Sequence, residues 1–284
     1  MYDYKIGAMV ESFRLDTFDA IRAAAEIGVD GLQLGSNYGP NAPENMTAER
    51  KRELIKTTKE NGLVFSAICG DLGHGFGNKE ENPALVEKSK RIIDLALELG
   101  TNIVTTHIGV VPTSKDEERY KIMQNACADL ADYAASQGAR FAIETGPEPS
   151  IVLKEFLDEI ASPGIAVNLD PANLAMVIGE DAVDAVHNLK DYIIHTHAKD
   201  GIKLLDVKPE YIYRVWETPE ELMNKRAFEE VPLGTGSVDF PKYLKALEEV
   251  GYRGFLTIER EVGADPAKDI RTAYNFLKEV IKNG

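Results

Sequence analysis

The chain repeats one arrangement of apolar and polar positions: an amphipathic helix, a glycine, a short apolar run and a polar loop. The repeat is seen in the segments AEIGVDGLQLGS, KENGLVFSAICG, LELGTNIVTTHIG, ASQGARFAIETG, ASPGIAVNLD and EEVGYRGFLTIE. A glycine directly after a helix readily takes the left-handed backbone conformation that ends the helix. The apolar run after each glycine has the length of a buried strand.

Eight such apolar runs alternate with helical segments, and we place the strands near residues 5–10, 31–35, 64–69, 102–107, 140–144, 165–170, 192–197 and 254–259. Strict alternation of strands and helices predicts a parallel sheet covered by helices. Eight units predict closure into an α/β fold of the (β/α)8 TIM barrel type. An open doubly wound sheet is the alternative. It is disfavoured because no glycine-rich phosphate loop follows the first strand.

The chain has 284 residues without a linker or low-complexity stretch, which predicts a single domain over residues 1–284. That length suits one barrel of this type. The segment 202–231, after the seventh strand, is too long for an ordinary loop of such a barrel. We interpret it as a lid-like insertion, and a subunit contact or a plain packed excursion are the alternatives. It carries Trp216, the only tryptophan, which is a candidate substrate contact.

Four of the apolar runs end in a side chain that can bind a metal ion or move a proton. These are Glu144 in FAIETG, Asp170 in IAVNLDPAN, His197 in YIIHTHAKD and Glu259 in FLTIERE. Side chains alternate across a strand, so we expect these four to point into the barrel while their apolar neighbours pack on the helices. Barrel active sites lie at the C-terminal ends of the strands. We therefore expect the four side chains to meet there.

Three buried carboxylates in one place require a compensating charge, because each isolated buried charge costs several kcal/mol or shifts its pKa strongly. A divalent cation would supply that charge, so the sequence predicts a metal centre formed by these four residues. An oxygen-rich ligand set with one imidazole favours Mn²⁺, Mg²⁺, Co²⁺ or Fe²⁺ over structural Zn²⁺. We expect one divalent ion, with Mn²⁺ favoured. A structural ion-pair network is the alternative.

The charge balance restricts the partners of the protein. Lysine and arginine number 32 against 47 aspartates and glutamates, which gives a formal charge of −15. Such a surface repels phosphate backbones, so we expect neither nucleic acid nor a membrane as a partner. The two cysteines form no paired motif, which fits a reducing compartment. With no N-terminal signal pattern and no membrane-spanning apolar run, we expect a cytoplasmic protein.

Further side chains near the strand ends are candidates for binding substrate. His107, in VTTHIG, would bind a substrate oxygen or act as a hydrogen-bonded core histidine. Lys199 would steady an enediolate or form a surface salt bridge. His74 lies in the glycine-rich loop GDLGHGFGNKE, which either closes over substrate or is simply flexible. His195 shares a strand face with the metal-binding histidine and is expected in the core, and the Gly-Thr-Gly-Ser segment at 234–237 is a weak candidate for binding phosphate.

These residues resemble a known family. The four strand ends and the segment PLGTGSVDFPKYLKALEEVGYRGFLTIERE are similar to the xylose isomerase-like TIM barrels of the sugar phosphate isomerase/epimerase family. That family includes ketose 3-epimerases, hydroxypyruvate isomerases and inosose dehydratases, and the resemblance covers essentially the whole chain. It implies that Glu144, Asp170, His197 and Glu259 bind the metal ion. It also implies that the two glutamates move the proton, as in the epimerases of the family.

Two positions differ from the ketose 3-epimerase pattern. Those enzymes carry a histidine three residues after the metal-binding aspartate, where this chain has Asn173, and a substrate-binding arginine six residues after the metal-binding histidine, where it has Lys203. Asn173 becomes a candidate substrate contact by its position. The resemblance therefore implies the metal chemistry but not the substrate of a ketose 3-epimerase. Homo-oligomers are common in the family, so an oligomer is an option by analogy.

The sequence favours metal-assisted proton transfer beside a carbonyl group. One glutamate would remove a proton to give a cis-enediolate, and the other would return a proton, which epimerises or isomerises the substrate. The substrate would be a small ketose, keto-acid or related sugar. A dehydratase, which expels a hydroxyl from the same enediolate, is the nearest alternative. An endonuclease IV-like phosphodiesterase is a distant one, because the chain has five histidines and a charge of −15.

Overall fold

The computed structural model describes residues 2–284, which form ten strands. They are β1 (Lys5–Met9), β2 (Gly31–Gly35), β3 (Val64–Cys69), β4 (Ile103–Thr106), β5 (Arg140–Glu144), β6 (Ile165–Leu169), β7 (Ile193–Ala198), β8 (Asp200–Lys203), β9 (Phe228–Val231) and β10 (Phe255–Ile258). Eight of them close a parallel barrel in the order β1-β10-β7-β6-β5-β4-β3-β2. The predicted (β/α)8 barrel is confirmed, and each predicted strand end lies within one residue of the observed one.

Helices connect the barrel strands and cover the outside of the sheet. They are α1 (Thr17–Ile27), α2 (Ala48–Glu60), α3 (Asn82–Glu98), α4 (Glu118–Gln137), α5 (Ser150–Ile160), α6 (Pro171–Asn173), α7 (Ala182–Leu189), α8 (Pro209–Ile212), α9 (Phe240–Glu249) and α10 (Pro266–Asn283). A π-helical turn, Leu174–Ile178, continues α6, and three short 3₁₀ turns cover Val10–Phe13, Gly39–Asn41 and Glu220–Leu222. Within residues 2–284, no helix combines the length and the apolar character needed to cross a bilayer.

The first helix illustrates how the local sequence sets the boundaries of the elements. The carboxylate of Asp16 accepts a hydrogen bond from the backbone N–H of Phe18, which satisfies a free donor at the start of α1. The helix ends at Gly28, whose φ of 99° suits a residue without a side chain. Ala20, Ile21 and other residues on the same face of α1 are buried against the barrel.

The interior of the barrel differs from the layer between the strands and the helices. The outer layer is apolar, with Leu34, Ile143 and Leu169 fully buried. The inner layer contains buried polar side chains, which are Gln33, Thr105, Asn168, His195 and Thr257. Buried polar groups persist only when they are hydrogen-bonded. This layer lies directly beneath the strand ends that carry the candidate site.

The segment 202–231 is more regular than the loop predicted from the sequence. Strands β8 and β9 pair antiparallel, with Asp200 opposite Val231 and Lys203 opposite Phe228. The buried guanidinium of Arg260, just after β10, donates to the carboxylate of Glu230 on β9 at 2.6 Å. The base of the insertion is thereby attached to the barrel. Its role as a lid and the single-domain organisation remain predictions.

Candidate metal centre

Four side chains from neighbouring strands meet at the carboxyl end of the barrel. Glu144 is the last residue of β5, Asp170 follows β6, His197 lies in β7 and Glu259 follows β10. These strands are consecutive in the barrel. One ligand atom from each residue lies within 4.8 Å of the others. The structure therefore brings together the four residues that the sequence singled out.

The imidazole of His197 is the centre of this cluster. Its Nδ1 atom lies 3.1 Å from Glu259 Oε2, 3.2 Å from Asp170 Oδ2 and 3.5 Å from Glu144 Oε1. Octahedral coordination at about 2.0–2.2 Å places neighbouring ligand atoms about 3 Å apart. The spacing and the oxygen-rich donor set therefore fit one hard or borderline divalent ion.

The electrostatics of the cluster also favour a cation. Burial alone lowers the pKa of His197, but Glu259 and Glu144 outweigh burial and raise that pKa well above its usual value. Burial raises the pKa of Asp170. Three carboxylates around one imidazole produce a negative field that stabilises positive charge at their centre. A divalent ion would satisfy this field with the histidine neutral and its Nδ1 lone pair free.

A network of buried polar side chains supports the cluster from below. Asn168 donates from Nδ2 to Glu144 Oε2 at 3.2 Å, and its Oδ1 accepts from His195 Nδ1 at 2.9 Å. His195 Nε2 accepts from the hydroxyl of Thr257 at 2.9 Å. Burial lowers the pKa of His195 well below its usual value, so this ring is neutral. His195 lies in the core, as the sequence predicted, whereas the role of Asn168 was missed. The sequence feature that could have revealed this role is the single amide side chain in the otherwise apolar strand IAVNL.

Asn173 lies beside the cluster and orients two of its carboxylates. Its backbone N–H donates to Asp170 Oδ1 at 2.8 Å, and its Nδ2 donates to Glu144 Oε1 at 3.1 Å. The side chain is buried. These contacts hold Asp170 and Glu144 in fixed orientations. A direct contact of Asn173 with substrate remains a prediction.

Lys199 forms a buried ion pair next to the cluster. Its Nζ atom donates to Glu259 Oε2 at 3.2 Å and to Glu261 Oε2 at 2.6 Å. Only 4 % of the residue is exposed, so the alternative of a salt bridge on the surface is wrong. Burial opposes ionisation, but Lys199 and His197 lower the pKa of Glu259 well below its usual value. Lys199 thus keeps Glu259 ionised and fixes its orientation.

His107, directly after β4, lies on the other side of Glu144. Its Nδ1 is 3.2 Å from Asp71 Oδ2, and its Nε2 is 3.6 Å from Glu144 Oε1 without a hydrogen-bond partner. Burial lowers the pKa of His107, but Glu144 and Asp71 outweigh it and raise the pKa to about 10. The ring of Tyr213, from the insertion, lies 5.8 Å from the imidazole. A protonated imidazole with an unpaired N–H is suited to donate a hydrogen bond to a substrate oxygen. The contacts of Asp71 and Tyr213 with His107 were not predicted from the sequence.

Two of the predicted substrate contacts lie away from this cluster. His74 is exposed and lines a surface cavity with Lys79 and Arg119. Trp216 is 45 % exposed and contacts Tyr211 and Lys208 at ring distances of 5.5 Å and 5.2 Å. The structure does not bring either residue to the four metal-site residues. Their contact with substrate remains a prediction.

Comparisons with known proteins identify the family of the chain. The profile of the xylose isomerase-like TIM barrel family matches residues 21–280. The chain belongs to this family. The resemblance inferred from the sequence is therefore confirmed.

Relatives within the xylose isomerase-like family cover most of the chain. This chain is 25 % identical over 253 residues to SgbU of Haemophilus influenzae, which is provisionally assigned as an L-ribulose-5-phosphate 3-epimerase. The match covers 82 % of this chain and 79 % of SgbU. The crystal structure of a xylose isomerase domain protein from Planctomyces limnophilus has 26 % identity and a TM-score of 0.79, covering 99 % of this chain and 97 % of that one. A xylose isomerase-like barrel from Mycobacterium smegmatis, solved with magnesium, has 17 % identity and a TM-score of 0.75, covering 100 % and 99 %. The last similarity concerns the fold alone.

Proposed function

We propose that this chain is a divalent-metal-dependent sugar isomerase or epimerase that moves a proton beside a carbonyl group through a cis-enediolate. The observation that carries the proposal is the convergence of Glu144 and Glu259 on His197 from two different strands. Two carboxylates on different sides of one site can remove and return a proton at a carbon held between them. The provisional assignment of SgbU as an epimerase supports the same class.

Glu144, Asp170, His197 and Glu259 would hold the ion, for which Mn²⁺ is favoured and Mg²⁺, Co²⁺ or Fe²⁺ are alternatives. A divalent ion at this position would polarise the carbonyl of the substrate and acidify the neighbouring C–H. Side chains of the protein would carry out the proton transfers.

The neighbours of the two glutamates position them for proton transfer. Glu144 is held by the amides of Asn168 and Asn173, and Glu259 by the ammonium group of Lys199. One glutamate would act as the carboxylate that takes the proton from the carbon beside the carbonyl, and the other, protonated before the step, would give its proton to the same or the neighbouring carbon. His107, protonated near neutral pH, would donate its Nε2–H to a substrate oxygen that gains negative charge.

A dehydratase is the second candidate, and the position of His107 favours it. A protonated histidine between Asp71 and Glu144 could give its proton to a departing hydroxyl group instead of binding an oxygen. The same enediolate would then lose water. The identity of the product separates the two reactions.

Deuterium exchange tests the proposal directly. The protein is loaded with Mn²⁺ or Mg²⁺ and incubated in D₂O with ketoses, ketose phosphates, hydroxypyruvate and inososes, and the carbon beside each carbonyl is examined. We expect metal-dependent exchange that Glu259→Gln abolishes and that Glu26→Gln, a control on the exposed face of α1, retains. Absence of exchange with every compound would contradict the isomerase and epimerase assignment. A small sugar-derived substrate follows from this proposal, whereas a cytoplasmic location and a homo-oligomer remain predictions from the sequence.

A further inference from the structure

The carboxylate of Glu11 lies at the mouth of the barrel, and the proposed proton transfer does not use it. Glu11 belongs to the 3₁₀ turn Val10–Phe13 that follows β1. A Cβ atom at Gly35, the last residue of β2, would lie 2.8 Å from Glu11 Cδ and 2.9 Å from Oε1. Any side chain at position 35 would displace the carboxylate, so the glycine keeps this space free for it.

The direction of the Cβ position of Gly35 places this carboxylate on the inner side of the barrel. Successive side chains of a strand alternate between its two faces. Gln33 points inward, because its Oε1 atom lies 3.0 Å from Nε2 of the metal-site residue His197. Gly35 is two residues further along β2 and therefore faces the same way, about 6.6 Å nearer the open end of the barrel. Glu11 thus fills the inward position one layer above Gln33.

Glu11 faces the candidate metal centre from the opposite wall of the barrel. In the closed order β1-β10-β7-β6-β5-β4-β3-β2, strand β2 stands four places from β6, which Asp170 follows. The other three metal-site residues lie at the ends of β5, β7 and β10. The proposed substrate would lie between these walls, with its carbonyl group at the metal-site residues. Hydroxyl groups remote from the carbonyl would then approach Glu11.

The carboxylate of Glu11 has no counter-charge of its own. Its side chain is exposed to solvent, and within residues 2–284 no lysine, arginine or histidine forms an ion pair with it. Partial desolvation raises the pKa of its carboxyl group, and the backbone N–H groups of Glu11 and Gly35 lower this pKa without outweighing the desolvation. By contrast, Glu259 at the same end of the barrel is held by Lys199. A partly desolvated charge without a partner costs stability, and such groups concentrate at functional sites.

A carboxylate accepts about four hydrogen bonds, and the two backbone N–H groups beside Glu11 leave acceptor sites unused. A sugar hydroxyl is the donor that the proposed function brings to this place. We propose that Glu11 is a specificity-determining residue, whose carboxylate accepts a hydrogen bond from a substrate hydroxyl group remote from the carbonyl. This inference rests on the proposed isomerase or epimerase function, and Glu11 takes no part in moving the proton.

A series of ketoses of increasing length tests the inference on the unaltered protein and on Glu11→Ala. Dihydroxyacetone and erythrulose are compared with ribulose, fructose and an inosose by deuterium exchange in D₂O with Mn²⁺, and the shortest ketose that exchanges is the reference. We expect Glu11→Ala to lower kcat/KM for the larger substrates about tenfold or more, mainly through KM, and to change that of the reference about threefold or less. An equal loss for every substrate, or no loss, would overturn the inference.

Two further results separate this inference from the proposed function. Exchange with hydroxypyruvate alone, which has no hydroxyl group remote from its carbonyl, would overturn the inference and leave the proposed function intact. No exchange with any compound would overturn the proposed function and this inference with it.

Measurements of metal binding and stability distinguish substrate contact from a structural role of Glu11. We expect Glu11→Ala to bind Mn²⁺ with the affinity of the unaltered protein in calorimetric titration and to keep its melting temperature, because Glu11 has no ion pair to lose. Glu11→Gln, whose amide oxygen still accepts a hydrogen bond, should lose less kcat/KM than Glu11→Ala. Glu26→Ala, on the exposed face of α1, is the control and should keep kcat/KM for every substrate. A fall in Mn²⁺ affinity or melting temperature that accounts for the lost turnover would show that Glu11 supports the site without contacting substrate, and would overturn the inference.

Discussion

The Nε2 atom of His197 lies 3.0 Å from the Oε1 atom of Gln33. An amide oxygen can only accept a hydrogen bond, so Nε2 carries the proton of the neutral ring and the Nδ1 lone pair faces the carboxylates. Asn168 Nδ2 is also close to Nε2, at 3.2 Å, and one of its two N–H groups donates to Glu144, while the other would need an unprotonated Nε2 as its acceptor. The contact with Gln33 therefore favours the tautomer of His197 whose Nδ1 atom can bind a metal ion.

Gln33→Leu should weaken metal binding while keeping the barrel folded. Leucine preserves the buried volume approximately but removes the acceptor for Nε2–H, and losses of about 10–100-fold in metal affinity are typical of such changes. Calorimetric titration with Mn²⁺ measures the effect. Thr105→Val is a graded control, because it removes only the hydroxyl that accepts from Gln33 Nε2 at 3.2 Å. Unchanged affinity in Gln33→Leu would show that the tautomer is set by another contact.

Glu144→Gln and Glu259→Gln should each lower turnover by at least about 100-fold, the usual contribution of a general base. The amide keeps the shape of the side chain but cannot accept the proton. Steady-state turnover is measured with a substrate that shows deuterium exchange, and bound metal is quantified in parallel to separate lost proton transfer from lost metal. In a two-base epimerase, each variant loses exchange from a different epimer. Near-normal turnover in both variants would exclude the glutamates as the proton carriers.

The positions of the strands could be predicted because buried parallel strands form continuous apolar runs. The short strands β8 and β9 could not be, since DGIK and FEEV mix charged and apolar residues and resemble an ordinary loop. Asp200, the first residue of β8, accepts hydrogen bonds from the backbone N–H groups of Gly234 and Gly236, and such long-range contacts do not show in the local sequence.

The convergence of Glu144, Asp170, His197 and Glu259 could be predicted because side-chain alternation places the last residue of each strand on a known face. Gln33 and Asp71 could not be placed, although both contact the site residues. Gln33 lies in β2, which is not adjacent to β7 in the barrel, and Asp71 lies in a loop whose path follows from packing. Contacts across the barrel interior depend on the tilt of the strands, which the hydrophobic pattern does not encode.

Removal of divalent ions should lower the stability of the protein. Binding to the folded state alone adds about 2.7 kcal/mol when the free ion is at 100 times its Kd. Thermal unfolding is compared after treatment with EDTA and after addition of Mn²⁺, and we expect the melting temperature to rise by several degrees with the ion. Asp170→Asn should lose most of this response, and His187→Gln, a change on the exposed face of α7, should retain it. A melting temperature that does not change when Mn²⁺ is added would favour the alternative that the four residues form a structural ion-pair network.

Tyr213 and Trp216 offer a matched comparison within the insertion. The ring of Tyr213 lies against the imidazole of His107. The next residue, Arg214, has a left-handed backbone conformation with a φ of 56°. Tyr213→Ala should raise KM about tenfold by exposing the site to water. Trp216→Ala should have a smaller effect, because that ring contacts Tyr211 and Lys208. An equal rise in KM for both variants would support the substrate contact predicted for Trp216 from the sequence.

Glu148 should make the stability of the protein depend on pH. The residue is 3 % exposed, and its carboxyl group accepts one hydrogen bond, from the backbone N–H of Val111 at 3.0 Å. Burial raises the pKa of Glu148 from 4.5 to about 8. Because the folded-state pKa is the higher one, the associated stability is fully present below pH 4.5 and is lost as pH rises through about 8. The unfolded chain ionises this group in that range, whereas the folded chain keeps it protonated.

Glu148→Gln removes this linkage and keeps an oxygen that can accept from Val111. The variant should therefore be more stable than the unaltered protein by about 3 kcal/mol at neutral pH, with a smaller difference near pH 5. Urea unfolding at acidic, neutral and mildly alkaline pH, with the metal concentration held constant, measures the difference. Glu26→Gln, on the exposed face of α1, is the control and should leave the pH profile unchanged. A pH profile of Glu148→Gln that parallels that of the unaltered protein would mean that Glu148 is ionised in the folded state, and that His107 or a bound cation compensates its charge.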